Sequence, residues 1–546
     1  MKKNKPSALL SVQNLSITIN SRGKSFAAVK DVSFTLQPGG TLGVVGESGS
    51  GKSLSALAVM GLLPEKVAVI TAGKILFEGK NLLTMTSDER RKLRGAQMSM
   101  VFQEPMTSLN PVITVGKQVE EVLEIHSKLG AKARKARVLE LFKTVQIDRA
   151  DERYNAYPHE LSGGQRQRVM IAMALAMQTK LLIADEPTTA LDVTVQKEIL
   201  RLLKKLQKDF NLSLLFISHD LKVIEEIADE VMVMEKGVAV EYGPVKQVLS
   251  KPKHAYTKKL LAAMPGGRSL GGLKPKTGKV LVEARGLSKT YMVRQGGFFS
   301  PRKPLQALND VSFKLIEGET LAVVGESGSG KSTIAKLLVR LIEPTSGRTL
   351  FMGRDIAAMD KAALRAARRD IQMVFQDPFS SLNPRMTVGE SVGEGIKAHG
   401  LMDDKKRRAY VEKLLADCGL PSDAYDRYPH AFSGGQRQRI CIARALALKP
   451  KLIIADEPVS ALDVSVQKQI LELLQKFKKD YGLSYLFITH DLRVVQDIAD
   501  RVLVMHKGKL VEQGPVAQIY TKPQQAYTQR LLAAIPGFAG LRKGAK

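Results

Sequence analysis

The chain of 546 residues has only two cysteines, no tryptophan and no long apolar run. Cys418 and Cys441 cannot form a disulfide framework and match no close metal-ligand spacing, so we expect packing thiols in a reducing compartment. The longest aliphatic run that we find, VMIAMALAM at residues 169–177, is shorter than the ~20 residues that a membrane span needs. Too few apolar residues follow the basic N-terminus for a secretory signal. We therefore expect no bilayer-spanning segment.

Acidic residues are also scarce, because 54 Asp and Glu stand against 83 Lys and Arg and leave a net charge of +29. Such a surface attracts polyanions, so a membrane surface and RNA both remain open as partners. The basic cluster KLGAKARKAR at residues 128–137 is more typical of a solvated helix face than of a binding site. The length and the ordinary share of apolar residues, 44%, predict a folded chain with two or more cores.

The sequence contains an internal duplication. VGESGSGKS at residues 45–53 recurs unchanged at 324–332, and similar segments follow in the same order in both halves. The repeat reaches KPKHAYTKKLLAAMP, from Lys251, and KPQQAYTQRLLAAIP, from Lys522. We predict a first domain at 8–265, a linker rich in Gly, Lys and Pro at 266–279, a second domain at 280–536 and a basic tail at 537–546.

Each half has the pattern of an α/β fold. Short apolar runs such as TLGVV, LLIAD and LLFIS predict strands buried on both faces, as in a parallel sheet covered by helices. Between the early strands and LLIAD, apolar residues such as Val115, Val119, Val122 and Leu123 follow helical spacing. We predict helical inserts at about 110–165 and 383–436.

The repeated glycine-rich loop predicts a phosphate site between a strand and a helix. Its glycines let backbone N–H groups converge on phosphate oxygens at a helix N-terminus, the lysine reaches the β and γ phosphates, and the serine hydroxyl binds Mg²⁺. The predicted nucleotide-binding residues are Gly46, Glu47, Ser48, Gly49, Ser50, Gly51, Lys52 and Ser53, and Gly325, Glu326, Ser327, Gly328, Ser329, Gly330, Lys331, Ser332 and Thr333.

A pair of carboxylates ends a predicted buried strand in each half. Asp185 is predicted to hold Mg²⁺ through water, and Glu186 to orient and deprotonate the attacking water. Asp456 and Glu457 repeat the pair. A histidine also ends a later strand, in ISHD and ITHD, where it faces the ligand crevice of an open sheet. We predict a γ-phosphate contact for His219 and His490.

LSGGQRQR from Leu161 and FSGGQRQR from Phe432 mark the start of a helix. Ser162 and Ser433 are good N-cap residues. Two glycines in the first turn cost about 1 kcal/mol each in helix stability, so something is expected to approach the backbone closely. An anion at the helix N-terminus is the natural candidate.

The motifs and their order resemble those of the ATP-binding subunits of ABC transporters, and the resemblance covers nearly the whole chain. GESGSGKS resembles the Walker A motif, VFQEP and VFQDP the Q-loop, and SGGQ the signature. LLIADEP and LIIADEP resemble the Walker B motif, TTALD and VSALD the D-loop, and ISHD and ITHD the segment of the switch histidine. The resemblance implies two tandem P-loop ATPase domains, each a RecA-like core with a helical insert. It implies catalytic and magnesium roles for Gln103 and Gln376.

It also implies a head-to-tail arrangement, in which Ser433 and Gly435 cover the ATP on Lys52, and Ser162 and Gly164 of the first half cover the ATP on Lys331. Because both glutamates and both signatures are intact, we predict two hydrolytic sites.

More narrowly, EPMTSLNP, DPFSSLNP and HAYTKKLL resemble the peptide and nickel importer branch, whose fused double-domain members include importers of oligopeptides and of glutathione. This implies a peripheral protein on the cytoplasmic face of the inner membrane, with two permease subunits and a solute-binding protein as partners. The helical inserts would transmit the movement to the permeases. Peptide is the favoured cargo, and glutathione, nickel and opine or sugar derivatives stay open.

Two departures from the family pattern stand out. Members usually stack adenine on an aromatic residue near the first strand; Tyr291 fits, but the first half has Ile19 there. Some relatives also carry a cysteine cluster near the C-terminus, and with two cysteines elsewhere we expect no iron–sulfur cluster. The alternative function is a soluble twin ATPase acting on the ribosome or nucleic acid. The short linker, and TALD and SALD in place of NHLD, argue against it, so no direct nucleic-acid binding is expected.

Overall fold

The computed structural model describes residues 8–21, 24–189, 191–268, 277–294, 302–460 and 462–537. The chain divides into two compact units, residues 1–191 with 195–263, and residues 192–194 with 264–546. We call residues up to 263 the first half and residues from 264 the second half. Most of the predicted linker (269–276) and nearly all of the predicted basic tail (538–546) lie outside the described residues. The predicted domain limits stay predictions.

The first half alternates strands and helices. Its strands are Leu10–Ser21 (β1), Lys24–Leu36 (β2), Thr41–Val45 (β3), Ala68–Phe77 (β4), Lys80–Asn81 (β5), Met98–Val101 (β6), Leu181–Asp185 (β7), Ser213–Ile217 (β8), Glu230–Glu235 (β9) and Val238–Pro244 (β10). Its α-helices are Lys52–Met60 (α1), Ser87–Leu93 (α2), Pro105–Ser108 (α3), Val115–His126 (α4), Ala131–Thr144 (α5), Ala150–Tyr154 (α6), Gly163–Ala174 (α7), Val193–Phe210 (α8), Leu221–Ile227 (α9), Val245–Ser250 (α10) and Ala255–Ala263 (α11). Leu82–Thr84 and Pro158–Glu160 are 3₁₀ turns.

The second half repeats this order. Its strands are Val280–Arg294 (β11), Arg302–Ile316 (β12), Thr320–Val324 (β13), Ser346–Phe351 (β14), Arg354–Asp355 (β15), Ile371–Val374 (β16), Leu452–Asp456 (β17), Ser484–Ile488 (β18), Arg501–His506 (β19) and Lys509–Pro515 (β20). Its α-helices are Lys331–Leu338 (α12), Lys361–Asp370 (α13), Pro378–Ser381 (α14), Val388–Ala398 (α15), Asp404–Asp417 (α16), Gly434–Leu446 (α17), Val464–Tyr481 (α18), Leu492–Ile498 (α19), Val516–Thr521 (α20) and Ala526–Ala533 (α21). Ala424–Asp426 and Pro429–Ala431 are 3₁₀ turns.

Two sheets form each half within the described ranges. In the first half, a mainly parallel sheet has the order β10-β9-β3-β8-β7-β6, and an antiparallel sheet has the order β2-β1-β4-β5. The second half has the same two orders: β12-β11-β14-β15 is its antiparallel sheet, and β20-β19-β13-β18-β17-β16 is its mainly parallel sheet. The predicted α/β fold class is therefore correct in both halves.

Apolar side chains explain this layering. The predicted strands TLGVV and LLIAD are buried at every position, as a parallel sheet covered on both faces requires. Residues of β1, β4 and β3 pack with α1 in one core, including Leu15, Ile75 and Val44. The equivalent core of the second half includes Leu287 of β11 and Ile334 of α12.

Helices α3–α7 and α14–α17 follow the strands β6 and β16 and precede β7 and β17, where helical inserts were predicted. In the second half, Val388, Val392 and Ile396 line one face of α15 at helical spacing and are fully buried. Cys418 and Cys441 are buried free thiols in the same core, and burial raises the pKa of Cys418 to about 12 and that of Cys441 to about 11. Both are therefore inert packing groups at neutral pH.

No helix among the described residues has the length and apolar character needed to cross a membrane.

Candidate nucleotide-binding sites

Each half brings four of its predicted site elements, the phosphate loop, the carboxylate pair, the histidine and the glutamine, to one edge of the parallel sheet. Strands β3, β8, β7 and β6 are consecutive neighbours and run parallel, so their carboxyl ends meet at the same edge. The phosphate loop follows β3, His219 follows β8, the Asp185–Glu186 pair ends β7, and Gln103 follows β6. This edge is where open α/β sheets bind their ligands.

The phosphate loop is held in shape by its own lysine. Lys52 is 6% exposed, and its Nζ donates to the carbonyl oxygens of Gly46 (2.7 Å) and Glu47 (3.0 Å). A Cβ at Gly46 would collide with the carbonyl oxygen of Met234, and Gly51 has a φ of 98° just before α1. These two positions therefore require glycine.

The loop serine and the strand aspartate meet in both halves. Ser53 Oγ donates to Asp185 Oδ1 at 3.1 Å, and Ser332 Oγ donates to Asp456 Oδ1 at the same distance. Burial raises the pKa of Asp185 and of Asp456, while the serine hydrogen bond opposes the rise. A hydroxyl and a carboxylate thus converge beside the phosphate loop.

Glu186 is the centre of the polar cluster in the first half. Its Oε2 accepts hydrogen bonds from Gln103 Nε2 (3.0 Å) and Thr189 Oγ1 (2.8 Å), and it lies 3.1 Å from His219 Nδ1. Its φ is 46°, a conformation that non-glycine residues adopt uncommonly and that is found at functional sites. The backbone turn directs the carboxylate towards the glutamine and histidine of the neighbouring strands.

The pKa of Glu186 reflects these bonds. Burial alone would raise it, but the hydrogen bond and charge of His219, the Thr189 hydroxyl and the charge of Lys52 lower the pKa to about 2. Glu186 is therefore an ionised carboxylate throughout the neutral range.

The second half reproduces the cluster. Gln376 Nε2 donates to Glu457 Oε2 at 3.0 Å, His490 Nδ1 lies 3.2 Å from the same oxygen, and Glu457 has a φ of 48°. Lys331 Nζ donates to Gly325 O and Glu326 O, both at 2.8 Å. Burial works against the charge of both partners of the pair, but their mutual hydrogen bond lowers the pKa of Glu457 and raises that of His490.

The signature segments lie at the start of α7 and α17. Ser162 caps α7 by accepting from Gln165 N at 3.3 Å, and Gln165 Oε1 accepts from Ser162 N at 3.1 Å. None of the hydrogen bonds described links Ser162 or Gly164 to the cluster around Glu186 in the same half. Ser433 and Gln436 repeat the capping box in the second half.

The structure also gives a packing reason for the second signature glycine. A Cβ at Gly164 would lie 2.6 Å from Val195 Cγ1, and one at Gly435 would lie 2.4 Å from Val466 Cγ1. A valine of the following helix therefore approaches the backbone closely at Gly164 and at Gly435, while the anion expected at this helix N-terminus stays a prediction. Gly163 has only an ordinary contact, with Leu191 at 3.5 Å.

Two sets of residues in these sites were not singled out from the sequence. Thr189 donates to the Glu186 carboxylate, and the hydroxyls of Tyr256 and Tyr527 accept from the phosphate-loop amides Glu47 N (3.1 Å) and Glu326 N (3.3 Å). The sequence did hold a signal for the two tyrosines, because both belong to the AYT segment that is repeated in the two halves. What the sequence could not show is that α11 and α21 lie against the phosphate loops.

Comparison with known proteins agrees with this geometry. The family model described as ABC transporter matches residues 29–189 and 308–460, and the one described as the C-terminal region of oligopeptide/dipeptide transporters matches 240–305 and 511–545. The chain belongs to the ABC transporter family. Tyr256 and Tyr527 lie within the second matched region of each half.

Curated relatives match the chain nearly end to end. The glutathione import ATP-binding proteins GsiA of Shigella sonnei and of Escherichia coli K12 are each 46% identical over 97% of this chain and 89% of their own length. A solved dimeric structure of the ATP-binding cassette MJ0796 bound to ADP and Pi is 32% identical over 43% of this chain and 98% of its own, with a TM-score of 0.39. At the level of the family, the predicted ATPase that energises an importer is confirmed.

Proposed function

We propose that both halves of this chain bind Mg²⁺-ATP and hydrolyse it, and that hydrolysis energises the import of small peptides through separate membrane subunits. The observation that carries the proposal is the cluster of phosphate loop, Asp, Glu, Gln and His, built twice with nearly equal distances. A degenerate site would be expected to have lost one of these groups.

The phosphates would bind to the loops Gly46–Ser53 and Gly325–Thr333, whose backbone N–H groups and lysine suit an anion at a helix N-terminus. For Mg²⁺, the available donors are the Ser53 hydroxyl, the Asp185 carboxylate and the Gln103 amide, and Ser332, Asp456 and Gln376 in the second half. All are oxygen donors with one carboxylate per site, which fits a cation that keeps several waters and shares substrate phosphates. Bound there, the ion would neutralise charge on the phosphates.

The hydrolytic step assigns the base to Glu186 and to Glu457. Water attacks the γ-phosphorus, the bond to the bridging oxygen of ADP breaks, and the proton of the water passes to the carboxylate. In the conformation described, the bond from His219 makes Glu186 a weak base. If the γ-phosphate draws His219 away, the carboxylate loses a contact that lowers its pKa and becomes a stronger base. ATP would thus prepare its own site for hydrolysis.

The signature residues complete the proposal. Ser433 and Gly435 would cover the ATP on Lys52, and Ser162 and Gly164 the ATP on Lys331. What supports this role is the placement of each segment at a helix N-terminus, with Ser162 and Gly163 exposed at the surface. Tyr291, on β11, would stack on the adenine of the second site.

Transport requires partners, which we propose to be two permease subunits and a solute-binding protein, with this chain peripheral on the cytoplasmic face of the inner membrane. The matched oligopeptide/dipeptide region and the glutathione importers among the relatives support a peptide cargo, glutathione itself being a tripeptide. Nickel and opine or sugar derivatives have no comparable support.

Isolation of the tagged chain from its native cells tests this function. We expect membrane permeases to co-purify, and the ATPase of the reconstituted complex to rise when a peptide-loaded binding protein is added. Co-purification with ribosomes in place of membrane subunits would support the twin ATPase of translation and contradict the importer.

A further inference from the structure

The two halves differ in a cross-strand pair at the end of the first antiparallel hairpin. In the first half, Ile19 of β1 lies directly opposite Phe26 of β2. In the second half, Tyr291 of β11 lies directly opposite Leu305 of β12. Each pair therefore has one aromatic and one aliphatic member, and the aromatic residue is on opposite strands in the two halves.

Directly opposite residues of an antiparallel pair project from the same face of the sheet, with Cβ atoms about 5 Å apart. Phe26 thus presents its ring from the same face as Ile19, one strand over. Phe26 is 55% exposed, whereas Ile19 is partly buried against the core. At the matching position of the second half, Leu305 is 50% exposed.

The strand that carries Phe26 passes beside the phosphate loop. A Cβ at Gly51, the residue just before α1, would lie 3.0 Å from the carbonyl oxygen of Ala28. Phe26 is two residues before Ala28, about 7 Å away along the strand, and the register of the hairpin shifts at Ala28. The second half has the same approach, between Gly330 and Ala307.

We infer that Phe26 stacks on the adenine of the ATP bound to the first site, in place of the aromatic residue that is missing at position 19. The inference rests on the proposed function, because it needs phosphates in the loop at residues 46–53. A nucleoside triphosphate held there has its base beyond the phosphates, and an exposed aromatic ring one strand from the loop offers a flat apolar surface to it. Stacking on such a ring is a common way to hold a base without reading its hydrogen-bonding edge.

A single exposed phenylalanine is in itself ordinary for a protein surface. The register of the hairpin is what assigns this role to Phe26. Phe26 and Tyr291 occupy the two members of the same cross-strand pair, so that each half keeps one aromatic residue in that pair.

Calorimetric titration of the full chain with ATP and with inorganic triphosphate tests the inference. Lys331→Ala in all samples restricts strong binding to the first site. We expect Phe26→Ala to weaken ATP binding about tenfold and to leave triphosphate binding unchanged, because only the base loses a contact. Phe26→Tyr should bind ATP as the parent does, and Leu305→Ala, the matched position of the second half, should have no effect.

A second variant moves the aromatic residue from β2 to β1, because the second half carries its aromatic residue on the equivalent strand, β11. Ile19→Tyr added to Phe26→Ala should restore ATP affinity at the first site. Unchanged ATP affinity in Phe26→Ala, or an equal loss for ATP and triphosphate, would overturn the inference. A parent chain that binds neither ligand would instead contradict the proposed function, so the two failures are distinguishable.

Discussion

The two halves have matching polar clusters beside their phosphate loops, but they differ in one cross-strand pair of the first antiparallel hairpin. The serine–aspartate distance is 3.1 Å in both, and the glutamine–glutamate distance is 3.0 Å in both. By contrast, the cross-strand pair to which we assign the adenine contact changes from Ile19·Phe26 to Tyr291·Leu305. The chemistry of hydrolysis tolerates little change in position, whereas a flat apolar surface for a base can come from either of two strands.

A second difference lies beside the tyrosines that support the phosphate loops. The ring centroids of His506 and Tyr527 are 4.0 Å apart, and His506 Nδ1 lies 3.9 Å from the Glu326 carboxylate. The corresponding position of the first half is Glu235. The loop amide of each half is thus bonded to a tyrosine, but the position of His506 is occupied by a glutamate, Glu235, in the first half.

Removing the loop lysine has the largest expected effect. Lys52→Ala and Lys331→Ala should each lower turnover at their own site about 100-fold or more, since a positioned donor to the transferring phosphoryl group is lost. Calorimetry should count one ATP per chain in each variant and two in the parent. Lys204→Ala, an exposed lysine on α8, is the control. Retention of two ATP in either variant would show that its half has no site of the kind described.

Substitutions of the signature glycines test whether these residues are needed for the packing of α7 against α8. Gly164→Ala should lower the free energy of unfolding by about 1–3 kcal/mol because its Cβ overpacks against Val195. Gly163→Ala, with its neighbour at an ordinary 3.5 Å, should leave it unchanged or raise it by up to about 1 kcal/mol, and Val195→Ala should restore the stability of Gly164→Ala. Gly435→Ala with Val466→Ala is the same test in the second half. Equal costs at Gly163 and Gly164 would contradict the packing explanation.

The histidine–glutamate pair predicts a pH-dependent stability. Because the bond to Glu457 raises the pKa of His490 in the folded state, its contribution is full below the unfolded pKa of about 6.5 and is lost as the pH rises through the folded value. His490→Gln should therefore lower the melting temperature more at pH 6 than at pH 9. His219→Gln is the equivalent substitution in the first half, measured at the same two pH values. A deficit that does not change with pH would contradict the charged pair.

The tyrosines of α11 and α21 give the smallest expected effect. Tyr256→Phe and Tyr527→Phe remove one hydrogen bond from the phosphate loop, which is worth about 1 kcal/mol and corresponds to a roughly fivefold higher KM for ATP. Turnover at saturating ATP should hardly change. Tyr520→Phe is the control, because that hydroxyl bonds to Leu492 and not to the loop. A purely structural role would lower stability and leave KM unchanged.

Much of this was predictable because it is local in sequence. The phosphate loop, the carboxylate pair and the strand-ending histidine are each short segments beside a buried strand, so that the strand order of an α/β sheet brings them to one edge. The α/β class and the duplication followed from periodicity and self-similarity.

The rest depended on contacts between distant segments. The bond from Glu47 N to the Tyr256 hydroxyl joins residues 209 apart, and no local pattern predicts it. The pairing of Ile19 with Phe26 required the register of the hairpin, which could not be read from the residues alone. The packing of Gly164 against Val195 likewise depended on how α7 and α8 meet.

The central claim is that both halves hydrolyse ATP. Glu186→Gln and Glu457→Gln keep the shape of the side chain and remove the proton acceptor, and a general base contributes about 100-fold or more to its step. The claim is tested by comparing the steady-state rate of phosphate release of each variant with that of the parent. We expect a loss of at least half of the activity in each variant and a near-complete loss in the double variant. Unchanged activity in either single variant would contradict it.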